Sequence, residues 1–212
     1  MPCLLLQNGG LVKTVKFKDA QYVGDPLNAV RIYNQKEVDE LVVYDISSTN
    51  VARVIDFDLL EKIASQCFMP VCYGGGVKSL DDFKALFTLG IEKVSVSSLL
   101  LDDPEIIRQA VEIFGSQSII ATIDVQKPFF RSDYRIKTHS GSMKRKMELS
   151  QIVSYCEDLG VGEIIINNIN RDGTWEGFDI DLLKSITVCA RVPVVAVGGA
   201  GSLEDIQAAV YH

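Results

Sequence analysis

Three apolar runs in the first half of the chain recur, in the same order, in the second half. The matching pairs are residues 4–7 with 123–126, residues 41–46 with 164–169, and residues 71–76 with 195–200. The offsets between them are 119, 123 and 124 residues. Matches in the same order at a nearly constant spacing indicate an internal duplication. The sequence therefore predicts a single domain made of two similar halves, at about residues 1–117 and about residues 118–212.

The apolar runs alternate with amphipathic stretches, which is the pattern of parallel strands covered by helices. The amphipathic stretches are residues 25–35, 57–65, 80–89, 104–114, 150–159 and 181–189. The predicted capping residues are Asp58, Ser79 and Asp103 at helix starts, and Gly90, Gly115 and Gly160 at helix ends. Seven such units in two similar halves predict an α/β fold of the (β/α)8 TIM-barrel type more than an open sheet.

The repeat also predicts where an eighth unit would lie. Shifting residues 94–98 by 124 positions leads to about position 218, beyond the last residue of this sequence. A (β/α) barrel takes roughly 250 residues, and a barrel that lacks a strand has two edges with unpaired backbone groups. The eighth βα unit is therefore expected to be missing from this sequence, with either a truncated chain or a partner chain that covers the gap.

Composition narrows the function classes. A net charge of −7 argues against nucleic-acid binding through a global positive field, and no segment has the pattern of a membrane span or a signal peptide. Five cysteines without a Cys-x-x-Cys motif indicate free thiols and a cytoplasmic location. Only two histidines, His139 and His212, are available. We therefore expect no metal site and no cofactor, and acid–base chemistry from carboxylates, lysines or cysteines.

In a (β/α) barrel the functional groups lie at the carboxyl ends of the strands. Asp124 ends the apolar run 119–123 and is predicted to be an acid–base group, and Lys13, after a Gly-Gly turn, is a second catalytic candidate. Glycine-rich strand ends half a barrel apart predict two phosphate sites. The candidate phosphate-binding residues are Gly75, Gly76, Ser97, Ser98, Asp172, Gly173, Gly198 and Gly199. The alternatives are a helix cap or ion pair for Asp124, a solvated side chain for Lys13, and plain tight turns for the glycines.

Charged residues also precede alternate strands, at Glu40, Lys93 and Glu163. Because alternate strands contribute to one layer of a barrel, these three are predicted to form a charged ring at the barrel floor; ordinary solvation is the alternative. Residues 127–146 interleave basic and aromatic side chains, and a Ser-Gly-Ser turn predicts a hairpin. This hairpin is predicted to attract an anionic substrate or an acidic partner. Binding of single-stranded nucleic acid and a plain solvated hairpin remain alternatives.

A set of motifs covers essentially the whole chain. They lie at residues 2–4, 10–13, 24–26, 39–41, 45–46, 74–77, 93–95, 114–117, 123–124, 171–174 and 198–201. These motifs resemble the HisF family of histidine biosynthesis, the cyclase subunit of imidazole glycerol phosphate synthase. The resemblance implies a half-barrel duplication, a nucleotide-like substrate with two phosphates, and a HisH-like glutaminase that delivers ammonia at the barrel floor. It assigns Glu40, Lys93 and Glu163 to an ammonia gate, and Asp39 and Glu92 to the partner surface.

One position departs from the family pattern. Residues 3–5 read Cys-Leu-Leu, whereas the family has Cys-Leu-Asp, and that Asp works with the one matched by Asp124 as an acid–base pair. Leu5 cannot transfer a proton, and such a group contributes roughly 10²–10⁴-fold to a rate.

Two hypotheses follow from Leu5. The first is a cyclase subunit with weakened cyclisation. The second is a non-cyclising ammonia channel that supplies a sugar amidotransferase in surface-polysaccharide biosynthesis, as in a divergent HisF-like branch that the sequence also resembles. A sugar-phosphate isomerase like HisA is a weaker third, because that relative also needs an acid on strand one.

Overall fold

A curled sheet forms the centre of the protein in the computed structural model, which describes residues 1–49, 55–129 and 133–211. The strands are β1 (Cys3–Gln7), β2 (Gly10–Val15), β3 (Lys18–Gly24), β4 (Leu41–Asp45), β5 (Val71–Gly74), β6 (Lys93–Val96), β7 (Ile119–Gln126), β8 (Arg135–Thr138), β9 (Met143–Lys144), β10 (Glu163–Asn168) and β11 (Val194–Val197). Seven of them lie side by side in parallel, in the order β1-β4-β5-β6-β7-β10-β11. The predicted parallel arrangement of the apolar runs is confirmed.

Helices connect these strands and cover the outer face of the sheet. They are α1 (Pro26–Gln35), α2 (Phe57–Gln66), α3 (Leu80–Thr88), α4 (Leu99–Asp102), α5 (Pro104–Phe114), α6 (Leu149–Asp158), α7 (Ile180–Thr187) and α8 (Leu203–Val210). Ser79 caps α3 as predicted, because its hydroxyl accepts the N–H of Asp82 at 3.3 Å and the Asp82 carboxylate accepts the N–H of Ser79 at 2.9 Å.

Two of the predicted caps differ in the structure. The prediction for Asp58 was wrong, since Asp56 caps α2 by accepting the N–H of Leu59 at 3.0 Å. A cap must precede the first helical residue, and the helix begins at Phe57, so Asp58 lies within its first turn. Asp103 occupies the cap position of α5, but its side chain makes no capping hydrogen bond.

The curl of the sheet follows from one long-range contact. The hydroxyl of Tyr44 on β4 lies 2.8 Å from Oγ1 of Thr122 on β7. Two strands lie between β4 and β7, and three strand spacings along a flat sheet amount to about 14 Å. The two side chains do not span that distance, so the contact forms across a concave interior. The chain thus has an α/β fold with a TIM-barrel-like sheet.

Apolar side chains pack in two layers. The larger layer lies between the sheet and the helices, where Phe83 and Leu86 of α3 and Ile107 and Ala110 of α5 are fully buried. Burial of each large side chain contributes roughly 1.5–3 kcal/mol. The smaller layer fills the barrel interior; its members are Val42, Cys72, Ile120 and Ile165, packed by Cys3, Tyr44, Val195 and Val197.

Two hairpins extend from the parallel strands. The predicted hairpin of the basic segment is confirmed as β8 and β9, which continue from β7; Phe130 and Arg131 of that segment, and His212, lie outside the described residues. The second hairpin, β2 with β3, extends from β1 and was not predicted. Within the described ranges, none of the helices has the length and apolarity needed to cross a bilayer.

Candidate active site

Three charged side chains meet at the amino ends of the parallel strands. Nζ of Lys93 donates to Oε2 of Glu40 at 3.0 Å and to Oε2 of Glu163 at 2.9 Å. Burial lowers the pKa of Lys93, but the hydrogen bonds and charges of the two carboxylates outweigh burial and keep this pKa above its ordinary value. The predicted ring of three charges therefore forms. Asp39 and Glu92, next to it in sequence, are exposed, and the Glu92 carboxylate accepts the N–H of Val71 at 2.7 Å.

Replacing Lys93 by Met is expected to lower the free energy of unfolding by about 1–3 kcal/mol, because it leaves two carboxylates facing each other without their shared cation. Arg191→Met is the matched control, since Arg191 is highly exposed and its Nε lies 3.6 Å from the Glu157 carboxylate; it should cost less than about 1 kcal/mol. Urea unfolding of both variants measures the difference. Equal losses would contradict a stabilising role for the ring.

The floor contacts also give the stagger of the strands. The backbone pairing between β6, β5 and β4 places Lys93 opposite Val42 of β4. The Lys93 side chain nevertheless contacts Glu40, which lies two residues before Val42. Followed from β6 to β10, it lies opposite Val161, yet it contacts Glu163, two residues higher. The level therefore shifts by one residue per strand, which is the stagger of an eight-stranded barrel with a shear of 8.

This stagger brings Leu5 level with Asp124. The backbone pairing leads from Leu5 on β1 across β4, β5 and β6 to Ile120 on β7. Four strand-to-strand steps with a stagger of one residue each move the level from Ile120 to Asp124. Both residues face the interior, because Cys3 and Thr122, two positions lower on the same strands, are interior side chains. A leucine and a carboxylate thus lie at the same height of one cavity.

Asp124 is the buried carboxylate of this cavity, with 7% of its surface exposed. Burial raises its pKa to about 7, with a further increase from the charge of Asp172 and an opposing hydrogen bond from Asn167. A carboxyl group that titrates near neutral pH can both accept and donate a proton under physiological conditions. Asp124 therefore has the environment expected of an acid–base group.

The glycine-rich strand ends adopt backbone conformations that favour glycine. Gly75 and Gly76 after β5 have φ of +126° and +71°, and Gly198 and Gly199 after β11 have φ of +91° and +102°. Positive φ values are a feature of the concave turns in which successive N–H groups bind an anion. Both predicted phosphate turns thus have a suitable backbone, and phosphate binding there stays a prediction.

Gly75→Ala is expected to lower the free energy of unfolding by about 3 kcal/mol or more, because both φ and space oppose a side chain there. A Cβ at Gly75 would lie 2.4 Å from the carbonyl oxygen of Asp45. Gly90→Ala separates the two causes, since Gly90 has φ +92° but a Cβ there would have open space for 4 Å around it; it should cost about 1 kcal/mol. Thermal and urea unfolding compare them, and an equal cost would exclude the steric explanation.

Ser98, at the start of α4, lies next to the basic hairpin. Its hydroxyl oxygen accepts the N–H of His139 at 2.9 Å. His139 and Arg145 of the hairpin both contact Asp102 at the end of α4. The hairpin therefore packs against the Ser97–Ser98 turn, and the Asp102 carboxylate offsets the charge of Arg145 there; phosphate binding at this turn stays a prediction.

The loop after β10 contacts the other hairpin. The Asp172 carboxylate accepts the hydroxyl of Thr14 at 2.9 Å and the N–H of Phe17 at 3.2 Å, and a Cβ at Gly173 would lie 2.0 Å from the carbonyl oxygen of Thr14. These contacts hold the β2–β3 hairpin over the carboxyl ends of the strands. Lys13 on this hairpin is exposed. Phosphate binding by Asp172 and Gly173 and catalysis by Lys13 remain predictions.

Comparison with known proteins gives the family of the chain. The family model described as "Histidine biosynthesis protein" matches residues 1–212. Two relatives named "Putative imidazole glycerol phosphate synthase subunit" are HisF of Leptospira borgpetersenii, 44% identical, and hisF2 of Pseudomonas aeruginosa, 45% identical. They align with 98% and 97% of this chain and 82% of their own lengths. The "Imidazole glycerol phosphate synthase subunit HisF" of Desulfovibrio desulfuricans is 36% identical over 99% of this chain and 83% of its own length.

The chain belongs to the HisF family. The sequence places Asn167 and Asn168 at the carboxyl end of a strand of this HisF chain, among the candidate residues, but gives neither side chain a specific role. Asn167 lies opposite Asp124 in the ladder, and its Oδ1 is buried without a hydrogen-bond partner among the described residues. Asn168 lies on the opposite face of β10, which packs against the helices, and donates to Asp179 at 2.7 Å, as does the hydroxyl of Tyr134 at 2.9 Å. Inward-facing alternation along the strands was the available signal, because every second residue of β10 faces the interior.

Proposed function

We propose that this HisF-family chain is the ammonia-accepting subunit of an imidazole glycerol phosphate synthase, with weakened cyclisation. The observation that carries the proposal is that the Lys93 ring and Asp124 both lie in the interior of the sheet, one at each end of the parallel strands. The Lys93 ring lies at the amino ends of the strands, and Asp124 faces the same interior at their carboxyl ends. A small neutral nitrogen donor that enters at the ring would meet the acid–base group at the other end.

The proposed partner is a HisH-like glutaminase at the barrel floor. Asp39 and Glu92 are exposed there, next to the ring that would admit ammonia.

The proposed substrate has a phosphate at each end, bound by the Gly75–Gly76 and Ser97–Ser98 turns on one side and by the Gly198–Gly199 turn on the other. The positive φ values of the glycines support this assignment, as does the basic composition of the hairpin that contacts Ser98. In this proposal the barrel is one domain of two similar halves, and the stagger that brings Leu5 level with Asp124 supports the duplication.

Cyclisation of phosphoribulosyl formimino carboxamide ribonucleotide would use two acid–base groups, of which this chain offers Asp124. Leu5 at the same height supports the second candidate function. In that alternative, the chain passes ammonia from a glutaminase to a separate sugar amidotransferase and does not close an imidazole ring. The relatives in L. borgpetersenii and P. aeruginosa carry synthase names, which support the first candidate.

The test incubates the chain with the formimino ribonucleotide and ammonium salts and measures imidazole glycerol phosphate. The first candidate predicts slow but saturable product formation that depends on Asp124. The second predicts no product, while the chain still stimulates hydrolysis of glutamine by a HisH-like glutaminase. Absence of both product and glutaminase stimulation would reject both candidates. Isomerisation of an aminoaldose phosphate would instead indicate the HisA-like activity.

A further inference from the structure

Three hydroxyl groups meet inside the barrel between the floor and Asp124. The Tyr44 hydroxyl lies 2.8 Å from Oγ1 of Thr122 and 3.4 Å from Oγ of Ser95, and the Ser95 and Thr122 oxygens are 2.5 Å apart. Each hydroxyl has one hydrogen to donate and can accept another. Three donors and three mutual contacts form a closed cycle, so the hydroxyls satisfy one another.

The strand stagger gives the height of this cycle. Thr122 lies two residues below Asp124 on β7, and Ser95 lies two residues above Lys93 on β6. The Tyr44 ring reaches them by crossing Gly74 on β5, where a Cβ would lie 2.6 Å from the ring. The ring therefore extends from β4 across the interior, and the cycle lies above the floor ring and below the acid–base group.

We propose that Tyr44, Ser95 and Thr122 form an inner gate that closes the barrel axis, and that ammonia passes it by exchanging hydrogen bonds with these hydroxyls. The identity of the passing molecule rests on the proposed function, whereas the existence of the barrier does not. Ammonia suits the gate because it accepts one hydrogen bond and donates three, so it can replace one member of the cycle at a time. Burial raises the pKa of Tyr44 well above its ordinary value, so the hydroxyl stays protonated and able to donate.

Cys72 offers a probe of the barrier that needs no knowledge of the activity. Its side chain is 1% exposed, belongs to the interior layer and lies one strand from Lys93. Cys156 on α6 is equally buried but packs in the outer layer. In this proposal a small neutral thiol reagent that enters along the axis from the mouth meets the gate before it reaches Cys72, whereas Cys156 is reached only when the outer layer opens.

The experiment labels the chain with methyl methanethiosulfonate and measures the Cys72-to-Cys156 labelling ratio by peptide mass spectrometry. Tyr44→Leu is expected to raise this ratio by roughly 10-fold or more. In the unmodified chain the reagent reaches Cys72 only when the gate opens transiently, whereas the shorter leucine side chain leaves the gate permanently open. Tyr44→Phe keeps the ring but breaks the cycle and should raise it less. Tyr33→Leu is the matched control, since Tyr33 on α1 packs in the outer layer, away from the barrel interior; it should leave the ratio unchanged. An unchanged ratio in both Tyr44 variants would overturn the gate, and the Cys156 reference excludes general unfolding as the cause of an increase.

A second measurement tests whether ammonia uses the gate. With a HisH-like glutaminase and the formimino ribonucleotide, Tyr44→Leu is expected to increase the glutamine hydrolysed per product molecule several-fold. Without the gate, ammonia reaches the mouth of the barrel when the ribonucleotide is not ready to react, and it is lost to solvent. An altered labelling ratio with unchanged coupling would overturn the role in ammonia passage. If the unmodified chain makes no product with glutamine or with ammonium salts, the proposed function fails, and the labelling ratio still decides whether the barrier exists.

Discussion

Substituting Asp for Leu5 is expected to raise the rate of imidazole glycerol phosphate formation by roughly 10²–10⁴-fold, the range of one positioned acid–base group. The reason is geometric: Leu5 is level with Asp124 by the strand register and the stagger of the floor contacts, and both face the same cavity. The measurement compares product formation from the formimino ribonucleotide and ammonium salts before and after the substitution.

Leu5→Asn is the matched control, because it has nearly the shape and polarity of Asp but cannot exchange a proton at neutral pH. It should leave the rate near that of the unmodified chain. The rates are compared per folded molecule, since a new carboxyl group near Asp124 is expected to reduce stability through like-charge repulsion. If Leu5→Asp folds and gains nothing over Leu5→Asn, the missing carboxylate does not limit cyclisation, and the ammonia-channel candidate is favoured.

Asp124→Asn is expected to abolish the gain of Leu5→Asp and, at the same time, to stabilise the protein at pH 8. Burial raises the pKa of Asp124 to about 7, whereas an exposed Asp titrates near 4. The folded state therefore holds the proton more tightly than the unfolded state. The contribution of this group to the free energy of unfolding is fully present below about pH 4 and is lost as pH rises to about 7.

An Asn at position 124 has no proton to lose, so the variant keeps the stability that the unmodified chain loses as pH rises. Asp124→Asn should be more stable than the unmodified chain by about 2–4 kcal/mol at pH 8, with a much smaller difference near pH 4.5. Urea unfolding at the two pH values measures it. Asp19→Asn is the control, because Asp19 is exposed and already has the positive φ of 54° that Asn tolerates. A variant with the same pH dependence as the unmodified chain would show that folding does not raise the pKa of Asp124.

The order of the parallel strands and the three floor charges followed from the residue pattern. Buried parallel strands read as continuous apolar runs, and Glu40, Lys93 and Glu163 each stand at the start of one. The β2–β3 hairpin did not follow from the pattern. Its position depends on the contact between Thr14 and Asp172, which are 158 positions apart. A contact between residues so distant in sequence cannot be predicted from local sequence patterns. Asn167 received no role for a similar reason, since its importance lies in its place beside Asp124 on the neighbouring strand.

The sequence by itself determined the alternation of strands and helices, the motifs that resemble the HisF family, and the leucine at position 5, because each is a property of residue identity and local periodicity. Only the tertiary structure decided which interior side chains meet. The contact of Tyr44 with Thr122 joins residues 78 positions apart, and that of Lys93 with Glu163 joins residues 70 positions apart. Both depend on the curl of the sheet and on a stagger of one residue per strand, which arise from the packing of all the strands together and from no single segment.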